Sequence, residues 1–267
     1  MNGEQGLTGS DTVREQYATA DRLNTRISLH DRYSVNKQGF GPWIAAHYSF
    51  PEGARVLELG CGTGSLWAGQ DALILRCSEL ILTDLNEGMV EKARAALGER
   101  PGLEYRTADI QSIPFPDRSF DAVIANMMLY HVPDMEKALR EVRRVLKKDG
   151  TFYAATYGEN GMTAYLNGLL KVSIPVSSAF TLRNGRDKLK KYFADIGTAL
   201  YDDALIVTNA EDLADYVLSL PAAQGLKGLT KETVRAVIEK HMTDGALRVP
   251  KEYGMFIARA PKDEEDP

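Results

Sequence analysis

The sequence predicts an α/β fold in which a parallel sheet carries helices on both faces. Three observations lead there. Between residues 53 and 157, short β-rich runs alternate with stretches whose apolar residues recur at helical spacing. The first of these strands runs straight into glycines at alternate positions, Gly60, Gly62 and Gly64. An acid, Asp84, closes the next apolar run twenty positions after Gly64.

The elements follow in order. Residues 55–59 read as the first strand, and 64–75 as the first helix, although Gly69 weakens it. Residues 80–83 form the second strand. Asn86 caps a helix carrying Met89, Val90, Ala93, Ala96 and Leu97, and Gly98 ends it. Residues 103–107 and 120–125 are the third and fourth strands, the latter apolar enough for burial on both faces. Asp134 caps the clearest helix, where Met135, Ala138, Leu139, Val142, Val145 and Leu146 share one face. Lys147 and Lys148 fall in its last turn and Gly150 at its C-terminal cap, before a fifth strand over 151–156. After Tyr157 the rhythm changes. Residues 160–195 read as helical, 199–207 as a strand, 209–220 as a capped amphipathic helix, 230–242 as another helix, and 253–259 as a final strand. The first dozen residues and the tail 261–267 are polar and expected to be disordered.

Composition bounds the function. The 267 residues are 44% hydrophobic and 26% charged, enough for a sizeable core in one large domain or a domain with a lid. A net charge of −5 argues against a surface built for a nucleic-acid backbone. No apolar run approaches the ~20 residues of a membrane span. Two cysteines, Cys61 and Cys77, make neither a disulfide framework nor a metal cluster, and the four histidines are scattered. Free thiols and no signal peptide lead us to expect a cytoplasmic setting and no metal.

The chemistry-bearing blocks begin with Glu58-x-Gly60-x-Gly62-x-Gly64. Glycine there lets a ligand lie against bare main chain, while helix-start N–H groups face it. The spacing of Asp84 suits a carboxylate holding ribose hydroxyls. A dinucleotide fingerprint would read G-x-G-x-x-G/A, but the third glycine comes one residue early and Ser65 stands in the last position. Thr83-Asp84-Leu85-Asn86 follows, then Thr107-Ala108-Asp109-Ile110-Gln111-Ser112-Ile113-Pro114-Phe115, then Phe120 to Val132 with Asn126-Met127-Met128-Leu129 at its centre. Over about residues 50–160 this succession resembles the class I S-adenosylmethionine-dependent methyltransferases, of the small-molecule, type 11-like kind.

The resemblance implies a Rossmann-like seven-stranded sheet, mostly parallel with the last strand antiparallel, helices on both faces and a helical lid. It divides the chain into an N-terminal helical segment closing over the cofactor (1–48), a cofactor-binding core (49–160), lid insertions with the sixth strand (161–250), the final antiparallel strand (251–260) and the tail. S-adenosyl-L-methionine is the implied cofactor. Glu58, Gly60, Cys61, Gly62 and Gly64 would form its turn. Asp84 would hold the ribose, and Leu85 would pack on adenine. Asp109 and the Ile110 N–H would read the adenine edge, and Asn126 and Met127 would line the methionine part. Tyr33 would lie on the sulfonium side, and Arg32 or Arg26 would meet the carboxylate. His131 is a candidate general base on an acceptor hydroxyl, against the plainer reading of a loop histidine packed on Pro133.

The reaction implied is methyl transfer to a small-molecule acceptor by in-line displacement, which needs neither a metal nor a nucleophile triad. No Asn-Pro-Pro-Tyr-like block follows the fourth strand, which disfavours planar amino nitrogens as acceptors. Apolar and aromatic residues over 162–180 permit an acceptor pocket for an apolar or aromatic metabolite. The basic run from Arg183 to Lys191 is a solvated helix face or a patch for an anionic acceptor. No nucleic acid or membrane partner is expected, and a homodimer is left open. Two alternatives remain: a non-catalytic protein binding the same cofactor, and a nicotinamide-dependent oxidoreductase.

Overall fold

The structure is a computed structural model and describes residues 20–262 apart from 221, 222, 224, 225 and 227. The disorder expected of the first dozen residues and of 263–267 lies outside the described residues. The strands are β1 (Ala54–Leu59), β2 (Cys77–Asp84), β3 (Leu103–Thr107), β4 (Phe120–Ile124), β5 (Leu146–Tyr157), β6 (Phe193–Tyr201), β7 (Ala204–Val207), β8 (Leu247–Pro250) and β9 (Tyr253–Pro261). The helices are α1 (Ala20–Tyr33), α2 (Phe40–Ala46), α3 (Asp71–Leu75), α4 (Glu87–Leu97), α5 (Met135–Val145), α6 (Met162–Leu170), α7 (Gly185–Leu189), α8 (Ala210–Ser219) and α9 (Lys231–His241).

Seven strands form one sheet in the order β3-β2-β1-β4-β5-β9-β6. β1 to β5 are parallel, and β9 runs antiparallel between β5 and β6, as the resemblance implies. The strand order reverses between β1 and β4, whose carboxyl ends therefore diverge into a crevice where ligands bind in open α/β sheets. Successive residues point to opposite faces. Leu57, Ile81, Val123 and Phe152 pack beneath Ala138, Leu139 and Val142 of α5. Val56, Leu80, Leu82, Ile124 and Tyr153 pack with Trp43, Trp67 and α4 on the other face. A third cluster joins Leu29 and Tyr33 of α1 to α6, α8, α9 and the small antiparallel β7–β8 sheet. This cluster forms a cap over the sheet's carboxyl edge.

The capped helices start where expected. The Asn86 side chain accepts from Gly88 N–H, Asp134 from Lys137 N–H, and Asn209 from Glu211 N–H. Four expectations need correction. Residues 64–75 are not one helix: a single 3₁₀ turn, Ser65–Trp67, precedes α3, because Gly69 takes φ 77° and turns the chain out of helical geometry. Lys147, Lys148 and Gly150 belong to β5, not to the end of α5. Leu146 is already extended and paired with Phe120, so sheet pairing overrides the local cap signal. Residues 160–195 are not helical throughout. Lys171 takes a left-handed turn that ends α6, and the Asn167 amide both donates to and accepts from the Ile174 backbone, holding the following segment away from the helix. The strand over 199–207 is two strands in different sheets, separated at Asp202–Asp203, and its second half pairs with β8, which carries no local strand signal strong enough to have been foreseen.

Gly64 has φ 73°, and a Cβ there would meet Ala93 Cα at 3.2 Å and Leu97 Cδ1 at 3.0 Å. Gly64→Ala should therefore destabilise the protein by about 1–3 kcal/mol in urea unfolding. An unchanged midpoint would show that α4 can move aside without loss.

Candidate functional site

β1 leaves the sheet through three glycines with φ of 75°, 57° and 73° at Gly60, Gly62 and Gly64. They serve different ends. A Cβ on Gly60 would press Met128 at 2.9 Å, and one on Gly64 would press α4. A Cβ on Gly62 would meet nothing within 4 Å among the described residues. Packing thus requires the outer two glycines, while the middle one faces open space. Its N–H donates to Asp84 Oδ2 at 3.0 Å, and Asn86 N–H donates to Oδ1 at 2.9 Å. Burial pushes the Asp84 carboxyl above its ordinary pKa, against these two backbone donors.

That open space is a cavity of about 220 Å³ between the carboxyl ends of β1, β2 and β4. Gly60, Cys61, Gly62, Asp84, Leu85, Asp109, Ile110, Asn126, Met127 and His131 all line it. The Asp109 carboxylate accepts from the Gln111 N–H at 2.8 Å, which fixes its loop. Gly64 lies behind the turn against α4.

A second cavity, of about 860 Å³, shares Gly60, Cys61, Asn126, Met127 and His131 with the first and extends under the cap. Glu58 lies at its wall, 2% exposed, with Trp67 Nε1 donating to its Oε2 at 2.6 Å. Burial raises the Glu58 pKa to about 7, Trp67 opposes that rise, and the charge on Asp84 adds to it. Asn126 is fixed from both sides: its Nδ2 donates to Tyr48 Oη at 2.6 Å, and Ala155 N–H donates to its Oδ1 at 3.2 Å. Met127 sits at φ 53°, unusual for a residue with a Cβ, while its N–H donates to Ala155 O at 2.8 Å. The His131 ring lies 4.5 Å from that of Tyr130, which in turn contacts Tyr157 at 4.6 Å. Tyr157 Oη donates to Ser177 O, and Ser177 Oγ donates to Tyr130 O, each at 2.7 Å. These bonds stitch the segment after α6 across the cavity.

Arg32 and Tyr33 do not join the other expected residues. Both bind the Asp212 carboxylate on α8, clasping α1 to the cap, and neither lines either of these two cavities. Arg26 does line the larger one. The basic run is engaged elsewhere: Arg183 pairs with Glu159, Arg186 donates to Ile196 O, Lys190 pairs with Asp187 and Lys191 with Glu136.

Sequence reasoning missed His30, Tyr48, Trp67, Asp203 and Lys251. Tyr48 and Trp67 sit among ordinary core aromatics. His30, Asp203 and Lys251 meet only through tertiary structure, so spacing carried no signal. Among the described residues, no group of three His, Cys, Asp or Glu side chains is placed to hold a metal, and no helix is long and apolar enough to cross a membrane.

Residues 57–154 match a family model described as a methyltransferase domain. The ubiquinone/menaquinone biosynthesis C-methyltransferase UbiE of Cronobacter sakazakii is 39% identical over 101 residues, 37% of this chain and 40% of that protein. The matched stretch thus spans well under half of that relative. Among solved structures, a Haloferax volcanii protein in complex with the Trm112 methyltransferase activator aligns over 95% of this chain and 100% of its own, with TM-score 0.58 and 22% identity. The [4+2]-cyclase SpnF aligns over 95% and 97%, with TM-score 0.58 and 19% identity. At these identities the two structures establish the fold alone. The sheet order and the glycine turn agree with that match: residues 57–154 resemble a methyltransferase domain, on a fold shared with these structures.

Proposed function

We propose that this protein transfers a methyl group from S-adenosyl-L-methionine to a small-molecule acceptor. The observation that carries the reading is the open face of Gly62 beside Asp84, continuous with a capped cavity large enough for a second molecule. When bound, the cofactor supplies an electrophilic methyl on a sulfonium. The residues present suit it. The main chain of 60–64 would cradle it, Asp84 would accept from its ribose hydroxyls, and Leu85, Asp109 and Ile110 would take the adenine. Glu58, Asn126 and Met127 would face its amino-acid part.

The rest of the work belongs to alignment. Asn126 and Met127 are held rigidly where the two cavities meet, and His131 lines both. An acceptor held under the cap would meet the methyl there, and the segment around Ser177 would exclude water. Such positioning can contribute roughly 7–11 kcal/mol without acid catalysis of the leaving thioether. His131 is the candidate to take a proton where the acceptor has one to lose. In this reading residues 49–160 bind the cofactor, while α1 and 161–250 close over the acceptor.

Two outcomes are expected. Gly62→Ala should lose about 1 kcal/mol of stability from its backbone conformation yet weaken S-adenosylhomocysteine binding by tenfold or more. Asp84→Ala should weaken it as strongly. Wild-type affinity retained in both variants would sink the reading.

The second outcome follows from Glu58. Its raised pKa means the free protein binds a proton near pH 7 that the unfolded chain releases nearer 4.5, so its contribution to stability is present below about 4.5 and lost as pH rises through 7. A cationic ligand beside it would pull the pKa back down. Cofactor affinity should then rise with pH up to about 7 and level off above it, with release of a proton, at up to about 1.4 kcal/mol per pH unit. Glu58→Gln should flatten that dependence, as calorimetry in buffers of different ionisation heat would show. A slope retained in Glu58→Gln would assign it to another group.

A further inference from the structure

The end of the larger cavity formed by α1 and the β8–β9 link holds polar side chains that methyl transfer itself does not use. His30, on α1, lines the cavity with Tyr216 edge-on and Tyr253 tilted against it, ring centroids 5.9 Å away in each case. Its Nδ1 is enclosed and has no hydrogen-bond partner among the described residues. Burial, aided by the positive charge of Lys251 and opposed by Asp203, lowers its pKa to about 3, so the ring is neutral and cannot serve as a proton sink.

Lys251 also lines the cavity, although its side chain is only 2% exposed. It donates to the Asp203 carboxylate and to Ser34 Oγ at 3.0 Å. Its Nζ lies 5.2 Å from the Tyr253 ring centroid and 5.4 Å from that of Tyr201. Burial pushes the Asp203 carboxyl up, but the Asn36 N–H and the Lys251 ammonium outweigh it and hold it low. Burial lowers Lys251 itself, with Asp203 opposing.

Asp203 has a structural task, since its Oδ1 also accepts from Asn36 and Ala204 N–H and so ties the end of α1 to β7. Fastening the cap accounts for the Lys251–Asp203 pair, but neither for an ammonium placed at a cavity wall nor for a buried imidazole. Buried ion pairs and enclosed ring nitrogens are costly compared with apolar residues of the same size. An ammonium offers three donors, of which the two bonds above engage two.

We propose that His30 and Lys251 anchor the methyl acceptor, and that the acceptor is an aromatic small molecule bearing a hydrogen-bond-accepting oxygen, as a phenol, carbonyl or carboxylate. The assignment rests on the methyltransferase reading above. The rings of Phe40, Tyr130, Tyr157 and Tyr253 supply the apolar walls. The ammonium of Lys251 favours an oxygen acceptor over a cation, and the neutral imidazole, with one donor and one acceptor nitrogen, can meet a hydroxyl or a carbonyl. The Asp203 carboxylate is already engaged; of the acids that line the cavity, Glu159 pairs with Arg183, and Asp31, whose charge also reaches Lys251, is exposed to water. His30 and Lys251 act here as positioning residues, setting which atom of the ring faces the methyl.

The test uses the full chain saturated with S-adenosylhomocysteine, titrated with 2-naphthol, 2-naphthoate, naphthalene and the cationic 2-(aminomethyl)naphthalene. The oxygenated probes should bind about tenfold or more tighter than naphthalene, the worth of one hydrogen bond to a charged donor, and the cation weakest. His30→Phe should shrink that preference to about threefold or less while S-adenosylhomocysteine affinity stays unchanged. Lys251→Met leaves Asp203 unpaired and endangers folding, so Lys251→Met with Asp203→Asn serves as the second variant. Indifference of the wild type to the oxygen, or failure of every oxygenated probe to bind, overturns the proposal. So does a loss of S-adenosylhomocysteine affinity in the variants with the oxygen preference intact, which would place the cluster at the cofactor. If the wild type binds no S-adenosylhomocysteine at all, the methyltransferase reading falls and this proposal with it; the other results strike the proposal alone.

Discussion

The hydrogen bond from Gly62 N–H to the Asp84 carboxylate holds the site in shape. It spans the ends of β1 and β2, whose register brings Leu59 opposite Thr83, and a further bond from Cys61 N–H to Thr83 O, 2.8 Å, anchors the turn beside it. A chain leaving β1 in ordinary helical geometry would put side chains where the cavity now lies. The left-handed conformations at 60, 62 and 64 prevent that, and they are tolerable because glycine pays no Cβ penalty there. Gly60 seats Met128 and Gly64 seats α4, which in turn fix the walls on either side.

The second constraint is how the cap is fastened. An apolar interface alone would let α1, α8 and the β7–β8 sheet slide over the sheet edge. The buried contact of Lys251 with Asp203 and Ser34, and the clasp of exposed Arg32 and buried Tyr33 on Asp212, specify the docking instead. A buried pair of this kind adds little net stability but penalises misdocking strongly, since breaking it leaves an uncompensated charge. The cavity beneath can therefore be large without the cap losing its position.

Much of this was legible in the sequence where the signal is local. The capping side chains of Asn86, Asp134 and Asn209 sit immediately before their helices, and β1, β2, β3 and β4 declare themselves by apolar runs. The turn and the acids Asp84 and Asp109 are placed by spacing along successive strand ends. What could not be read depends on pairing at a distance. Leu146 enters β5 because Phe120 is its neighbour, and the chain after α6 stays extended because Asn167 brackets Ile174. Lys251 and Ser34 meet across 217 positions, which no pattern in either segment announces. Arg32 and Tyr33 were plausible cofactor residues by type, but α8 supplies a carboxylate that claims both.

The 60–64 turn with Asp84 should hold S-adenosylmethionine and not a dinucleotide. Calorimetric titration of the wild-type protein with S-adenosylmethionine, S-adenosylhomocysteine and NADH tests it directly. Both adenosyl-sulfur ligands are expected to bind with about micromolar dissociation constants, roughly 8 kcal/mol, and NADH is expected not to compete. Binding of NADH with neither adenosyl-sulfur ligand bound would contradict it.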